Sequence, residues 1–303
     1  MKLTPEATAV VEMAAARMPV EMNQIEIQTL RKATSESVPA STTSIYSVTD
    51  ATARTDSGDV PVRVYRPSDS PDLPVLMWMH GGGYAIGDLN MSDEYLRRLS
   101  NAALTIIVSV DYRLAPENPY PAGLDDCMGV WSWLQTGPAE VTADISRLGI
   151  GGESAGGSLA FAAALRARDE GGRIPDALVA AYGTAEMTIS NPELSTPPLL
   201  SARDCTWFWD MYAPDVETRA SPYCNVAEAT TLRGLGPSLI ITAGVDATRD
   251  ATERFARRMI ADGVDATLTR YDGVPHGFLT MLAAIPEASR SFDQIVRFLI
   301  ANL

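Results

Sequence analysis

The sequence predicts an α/β protein in which helices cover both faces of a mostly parallel sheet. Short apolar runs such as Pro74–Met79 and Leu104–Val110 have the composition of strands that are buried on both faces. Segments with apolar residues at helical spacing alternate with these runs along the chain. Such alternation is typical of a parallel sheet that lies between two layers of helices.

Two helices are expected before the sheet begins. Residues 5–18 and 20–33 carry apolar residues at helical spacing, and Pro19 stands between them as a helix breaker. We therefore expect residues 1–45 to form a helical segment outside the sheet, and residues 46–303 to form the core.

The core begins with a hairpin. Ile45–Thr55 and Val60–Tyr65 alternate apolar and polar residues like antiparallel strands, with a turn at residues 57–59. The two buried strands named above follow. The other expected elements are helix 92–102, helix 122–135, strand 147–151, helix 155–170, strand 177–182, strand 237–243, helix 249–262, strand 264–271 and helix 286–302.

One segment interrupts the alternation. Residues 185–225 contain Trp207, Phe208 and Trp209 together with five prolines, so we expect an insertion packed above the sheet. Three adjacent aromatic residues on a helix cannot all face one side. At least one should face a pocket, and another should pack within the insertion.

Composition excludes several classes of function. Of the 303 residues, 24 are basic and 38 acidic, and the net charge of −14 disfavours nucleic acid and anionic membranes as partners. No run approaches 18 uninterrupted apolar residues, and the N-terminus lacks the apolar block of a signal peptide. Three scattered cysteines without a CxxC pair suggest neither a disulfide framework nor zinc, and they favour a cytoplasmic protein with reduced thiols.

Gly152–Gly156 matches the pattern G-x-S-x-G around Ser154. The pattern alone occurs by chance in roughly one chain in ten of this length. Its context is more specific, because an apolar strand precedes it and a helical segment follows, as a nucleophile elbow requires. The alternative is an ordinary glycine-rich turn or a phosphate loop, but the phosphate-loop pattern requires a lysine that is absent here.

A nucleophilic serine needs a base, and the chain has only two histidines. His80 opens the run His80-Gly81-Gly82-Gly83, where backbone N–H groups can approach a developing oxyanion because side chains are absent. This assigns His80 to an oxyanion loop and leaves His276, just past the last predicted strand, as the base. The alternative for His276 is a surface histidine in a loop.

The base needs a carboxylate that orients it. In a sheet of this kind, the acid lies between nucleophile and base in chain order, at the carboxyl end of a strand. Asp246 leaves the strand predicted at 237–243 and is therefore our choice. Its alternative role is to cap the next helix, and Asp250 is the competing carboxylate.

Four stretches together resemble the hormone-sensitive-lipase-like carboxylesterases of the α/β-hydrolase fold. They are His80–Tyr84, Asp111–Glu117, Gly152–Gly157 and His276–Phe278, and the stretch Asp246–Asp250 is similar too. The resemblance runs from about residue 45 to the C-terminus.

The resemblance implies a catalytic triad of Ser154, Asp246 and His276. It implies an oxyanion hole formed by the backbone N–H groups of Gly82, Gly83 and Ala155. Residues 1–45 and 185–225 would form a helical cap over the pocket. The pocket residues that we expect are aromatic, namely Tyr84, Trp207, Phe208, Trp209 and Phe278.

Three positions depart from the family pattern. The family commonly has Asp where this chain has Glu153, often His at Asn118, and Leu or a similar residue at Thr248. None is a triad position, but Glu153 adjoins the nucleophile and could alter the elbow or its pH response. Within the second matching stretch we expect Arg113 and Glu117 to pair and to fix the loop.

The expected activity is that of a serine carboxylesterase acting on a small neutral ester with a short to medium acyl chain. It needs no metal or cofactor, and neither nucleic acid nor stable membrane association is expected; a homodimer is an open alternative to a monomer. Rival functions on the same triad are those of an amidase, a lactonase, a peptidase or an interfacial lipase. A non-catalytic receptor of the same fold would be expected to lose a triad member.

Overall fold

The computed structural model describes residues 2–17, 21–189 and 191–303. Eight strands form one sheet. Their bounds are β1 Ser47–Thr55, β2 Gly58–Arg66, β3 Val75–Met79, β4 Ile106–Val110, β5 Leu148–Glu153, β6 Ala177–Ala181, β7 Ser238–Val245 and β8 Ala266–Pro275.

The helices precede, connect and follow these strands. Their bounds are α1 Pro5–Arg17, α2 Ile27–Ser37, α3 Asp93–Ala103, α4 Ala122–Leu134, α5 Ala155–Asp169, α6 Ala202–Tyr212, α7 Val216–Arg219, α8 Arg249–Ala261 and α9 Pro286–Asn302. The long connection between β6 and β7 carries α6 and α7.

The sheet is mostly parallel, as the sequence predicts. The strand order is β1-β2-β4-β3-β5-β6-β7-β8, and β2 runs opposite to its two neighbours β1 and β4. The pairs from β4 to β8 are parallel. Their carboxyl ends therefore meet at one edge of the sheet, where loops from several strands can share a site.

An apolar core lies on each face of the sheet. β3, β4, β6 and β7 are buried along their whole length, which explains why their residues are mostly apolar. On one face, Leu124 of α4, Phe161 of α5 and Phe255 of α8 pack in a single cluster with strand residues. On the other face, Leu96 of α3 and Ile295 of α9 do the same. Among the described helices none is long and apolar enough to cross a membrane.

Two predicted elements differ from the structure by four residues or more at one end or both. The second N-terminal helix begins at Ile27 rather than at residue 20, because the Glu26 side chain accepts a hydrogen bond from the Thr29 backbone N–H (2.8 Å) and caps it there. Pro19 lies outside the described residues. The last strand continues to Pro275, since it stays paired with β7 through an irregularity near Val245.

The expected pair between Arg113 and Glu117 is wrong. Arg113 instead forms a bidentate ion pair with the buried Asp126 of α4, at 2.7–3.0 Å. Glu117 binds Arg31 of α2 at 2.7 Å. Arg113 and Glu117 thus both bind partners outside their loop.

Candidate active site

The predicted site residues follow four strands of the sheet, at its carboxyl edge. The glycine loop follows β3, Ser154 follows β5, Asp246 follows β7 and His276 follows β8. Because β3 and β5 are adjacent and only β6 separates β5 from β7, all four loops open over the same part of the sheet.

Ser154 stands in a sharp turn between β5 and α5. Its backbone has φ 54° and ψ −124°, a conformation that non-glycine residues rarely adopt. The turn is tight because α5 begins against β3: a Cβ at Gly156 would lie 2.0 Å from the carbonyl oxygen of Met79. The Ser154 N–H donates to the Ala181 carbonyl at 2.9 Å and anchors the turn to β6. This is the strand–turn–helix geometry of a nucleophile elbow.

Three side chains form one hydrogen-bonded chain. Ser154 Oγ lies 2.8 Å from His276 Nε2, and His276 Nδ1 lies 2.8 Å from Asp246 Oδ2. Asp246 is fully buried, while the His276 side chain keeps 11% exposure. The serine hydroxyl can thus pass its proton to an imidazole whose far side is held by a carboxylate, which is the arrangement of nucleophilic acyl transfer.

The second carboxylate oxygen of Asp246 is also used. Oδ1 accepts hydrogen bonds from the Thr248 backbone N–H at 2.9 Å and from the Thr248 hydroxyl at 3.1 Å. The competing carboxylate, Asp250, binds Arg249 and Asn191 instead. Asp246 therefore both reaches the imidazole and holds the first turn before α8.

Free backbone donors face the same edge. In the parts of the chain that the structure covers, the N–H groups of Gly82, Gly83 and Ala155 donate to no protein acceptor. They belong to the loop after β3 and to the start of α5, on either side of the nucleophile turn. Donors left free in this way are what an oxyanion hole requires.

His80 does not join the hydrogen-bonded chain. Its ring is buried, stacks on Tyr112 with ring centroids 4.4 Å apart, and has Nδ1 2.7 Å from the Gly81 carbonyl. Burial lowers the pKa of His80, which keeps the ring neutral. His80 thus supports the glycine loop from below, and His276 is the histidine that contacts Ser154.

A small cavity of about 40 Å³ opens above Ser154. Its wall includes Tyr84, Phe208 and Trp209 from the predicted set, together with residues that sequence analysis did not identify. These are Tyr182, Thr184, Leu200 and Cys205. Tyr182 follows β6, so its place at the carboxyl edge was the one available signal; the other three lie in the connection to β7, where no periodic pattern fixes orientation.

Two of the expected pocket residues lie elsewhere. Phe278 is fully buried in the core beside Tyr182 and Tyr271, because the short 3₁₀ turn after His276 directs it into the sheet face. Trp207 is half-buried and packs against the ring of Phe208 outside the cavity wall. Of the three adjacent aromatic residues of α6, Phe208 and Trp209 are therefore the two that line the cavity.

Phe208 also contacts the glycine loop. A Cβ at Gly83 would lie 2.3 Å from Phe208 Cγ, so the phenyl ring occupies the space of a side chain at that position. Helix α6 thus packs, through Phe208, directly against Gly83 of the glycine loop. Only glycine allows this approach at a φ of 58°.

Glu153 is buried beside the nucleophile. It accepts hydrogen bonds from the Ser92 hydroxyl and, at 3.2 Å, from the Tyr182 hydroxyl. The Tyr182 ring in turn packs edge-on against His276, with centroids 4.9 Å apart. Burial raises the pKa of Glu153, opposed by the hydrogen bonds from Ser92 and Tyr182.

This raised pKa predicts the pH dependence of a variant. Because the folded state favours the protonated form, the stability from Glu153 is present below its ordinary pKa and is lost as pH rises through the folded-state pKa. Glu153→Gln cannot ionise, so its Tm should rise relative to wild type between about pH 4 and pH 8. Thermal unfolding at both pH values tests this, with the exposed Glu140→Gln as control. If the difference in Tm between Glu153→Gln and wild type stays constant with pH, the raised pKa of Glu153 is contradicted.

Among the described residues no group of three or more His, Cys, Asp or Glu side chains could hold a metal ion. The three cysteines are buried and unpaired.

Comparisons with known proteins agree with this geometry. A family described as alpha/beta hydrolase fold matches residues 76–280. The carboxylic ester hydrolase LipN of Mycobacterium tuberculosis is 33% identical over 265 residues, 84% of this chain and 70% of LipN. Carboxylesterase NlhH of the same species is 36% identical over 240 residues, 77% of this chain and 75% of NlhH.

Solved structures lead to the same family. A hyperthermophilic esterase from the archaeon Pyrobaculum calidifontis superposes with a TM-score of 0.92 at 31% identity, covering 99% of both chains. The matched family segment contains the glycine loop, Ser154, Asp246 and His276. The chain therefore belongs to the hormone-sensitive-lipase-like carboxylesterases of the α/β-hydrolase fold.

Proposed function

We propose that this protein is a serine carboxylesterase that hydrolyses small neutral esters through an acyl-enzyme intermediate. The observation that carries the proposal is the hydrogen-bonded chain from Ser154 through His276 to Asp246, at 2.8 Å for each contact. It lies beside three backbone N–H groups that have no acceptor among the described residues.

The proposed reaction has two halves. In the first, Ser154 Oγ attacks the ester carbonyl while His276 Nε2 takes the hydroxyl proton, and Asp246 stabilises the resulting imidazolium. The N–H groups of Gly82, Gly83 and Ala155 bind the oxyanion of the tetrahedral intermediate. This intermediate collapses, and His276 returns the proton to the departing alcohol.

In the second half, water attacks the acyl-enzyme. His276 takes a proton from this water, the same donors bind the second oxyanion, and collapse releases the acid and restores the Ser154 hydroxyl. Each half begins and ends with a neutral imidazole, so the proton balance closes without another acid or base.

The substrate is proposed to be uncharged, with a short to medium acyl chain. The cavity wall combines aromatic and aliphatic side chains with few polar groups, and the net charge of −14 repels anionic substrates. We propose that the helices of residues 1–45 and of 185–225 form a cap that limits chain length. Asn23 supports this, since its side chain donates to Asp204 of α6 at 2.8 Å and joins the two segments.

Rates on a series of p-nitrophenyl esters with two to about twelve acyl carbons test the proposal. The matching p-nitroanilides and a simple lactone are measured side by side. Ester hydrolysis that exceeds amide and lactone hydrolysis supports a carboxylesterase. Faster amide or lactone hydrolysis would replace it with one of the rival functions, and no turnover would favour a receptor.

The aromatic side chains of the cavity wall predict how the preferred acyl chain length should shift when one of them is removed. Each buried methylene contributes about 0.8 kcal/mol until the wall is met, and further carbons cost about 1–3 kcal/mol through overpacking. Removing a side chain from the wall should therefore move the optimum to longer esters. We expect this for Phe208→Ala and Trp209→Ala, measured as kcat/KM across the ester series.

Trp207→Ala is the matched control, because its side chain lies outside the cavity wall. It should keep the wild-type optimum and lose mainly stability. If all three variants keep that optimum, the specificity wall lies elsewhere.

A cytoplasmic location and a homodimer stay predictions from the sequence.

A further inference from the structure

The loop that carries two of the free N–H donors has an unfavourable backbone. Gly82, Gly83 and Tyr84 have φ values of 115°, 58° and 63° in succession. Tyr84 is the demanding member, because a bulky residue in the left-handed region persists only where its surroundings hold it there. The loop must therefore be fixed by contacts outside itself.

Two sets of backbone hydrogen bonds provide part of this support. The N–H groups of Ala85 and Ile86 donate to the Gly82 carbonyl at 3.0 and 2.9 Å, which closes the turn. The Ala115 N–H donates to the Tyr84 carbonyl at 2.9 Å and ties the turn to the loop after β4. Neither set includes a donor to the carbonyls of Ala85 and Ala115.

Arg31 of helix α2 binds both of these carbonyls. Its Nε donates to the Ala85 carbonyl at 2.7 Å, and its Nη2 donates to the Ala115 carbonyl at 2.6 Å. The same guanidinium pairs with Glu117, at 2.9 Å from Nη1 and 2.7 Å from Nη2. Hydrogen bonding to Arg31 lowers the pKa of Glu117 to about 2, so the acid stays ionised and holds the guanidinium in place.

We propose that Arg31 is a positioning residue for the oxyanion loop, and that the N-terminal helix α2 thereby belongs to the catalytic apparatus. The inference rests on the proposed function, since it concerns how that function stabilises its oxyanion. Arginine suits the task because its rigid, planar set of donors binds two carbonyls and a carboxylate at once. A lysine ammonium at the same place lacks this geometry.

The consequence concerns the transition state rather than substrate binding. The N–H groups of Gly82 and Gly83 act only when charge develops on the carbonyl oxygen, and displacements of about 1 Å can reduce rates by about 100-fold. Loss of Arg31 should therefore lower kcat and leave KM nearly unchanged. A contact that merely supports the fold would lower Tm without lowering kcat selectively over KM.

The test compares Arg31→Met with Lys32→Met. Lys32 is the next residue of the same helix, with 75% of its side chain exposed and only a 3.9 Å contact to Glu36. For each protein we measure Tm, kcat and KM on p-nitrophenyl acetate, and the inhibition constant of an aryl trifluoromethyl ketone. Such a ketone adds to a nucleophilic serine and places an oxyanion among the N–H donors.

We expect Arg31→Met to reduce kcat by about tenfold or more and to raise the inhibition constant of the ketone by a similar factor. Its KM should stay within about twofold of wild type. Lys32→Met should match wild type in kcat, in KM and in the inhibition constant of the ketone. If Arg31→Met does not fold, Glu117→Gln replaces it, because this change removes the ion pair that holds the guanidinium and should give the same pattern in weaker form.

Unchanged kcat and ketone inhibition in a folded variant with lowered Tm would overturn the inference, and so would an effect on KM alone. Failure of the proposed function shows differently. In that case the wild type itself would neither turn over esters nor bind the ketone, whereas failure of this inference leaves an active wild type with an equally active Arg31→Met variant.

Discussion

Replacing Ser154 with alanine is expected to reduce kcat/KM on p-nitrophenyl esters by about 10⁴-fold or more, because nucleophile and base act as a unit. The protein should stay folded. Among the described residues the Ser154 Oγ is hydrogen-bonded to His276 alone, and Ser154 lines the cavity. Its removal therefore leaves no deeply buried group without a partner, and Tm should change by a few degrees at most.

The matched control is Ser289→Ala, at an exposed serine in helix α9 whose hydroxyl donates to the Leu282 carbonyl at 3.1 Å. It should keep wild-type kinetics, which shows that a serine-to-alanine change purified in the same way does not itself abolish activity. A folded Ser154→Ala variant that retains a tenth of wild-type activity would refute Ser154 as the nucleophile.

Much of the fold can be predicted because strands that are buried on both faces of a sheet consist mostly of apolar residues. Val75–Met79 is continuously apolar, Ile106–Val110 is apolar except for Ser109, and both are fully buried strands in the structure. The pairing of Arg113 was mispredicted for a physical reason. Its neighbour in sequence, Glu117, is an acid within reach, but the partner of Glu117 stands 86 residues earlier, in helix α2.

The reacting groups of the candidate site can also be inferred from the sequence. The order of serine, acid and base along the chain restricts the candidates, and two histidines leave little choice once His80 is assigned to the glycine loop. Side-chain direction is harder to infer. Phe278 lies two residues after His276 and Trp207 adjoins Phe208, yet a 3₁₀ turn and the rotation of α6 direct them away from the cavity.

The environment of the acid could not be predicted, because it depends on how the loop after β7 folds back. Thr248 is a departure from the family pattern, and the structure gives it a role. Its backbone N–H and hydroxyl both donate to Asp246 Oδ1, so Oδ2 is directed at His276 Nδ1. This arrangement decides what happens when the carboxylate becomes an amide.

Asp246→Asn should reduce kcat/KM by about 10⁴-fold without disturbing the fold, because it imposes the wrong imidazole tautomer. A backbone N–H can only donate, so the Thr248 N–H requires the amide oxygen on its side. The amide NH₂ group then faces His276 Nδ1, which must accept. A neutral imidazole with an accepting Nδ1 carries its proton on Nε2 and cannot take the proton of Ser154.

Asp250→Asn is the matched control, since Asp250 is the competing carboxylate four residues later and its partners are Arg249 and Asn191. We expect it to keep activity within about tenfold of wild type, because its side chain is not hydrogen-bonded to the imidazole. The measurement is kcat/KM on p-nitrophenyl acetate for both variants, with Tm as the check on folding. A larger loss in Asp250→Asn than in Asp246→Asn would transfer the orienting role to Asp250. A folded Asp246→Asn variant with a tenth of wild-type activity would show that His276 takes the proton of Ser154 without an orienting carboxylate.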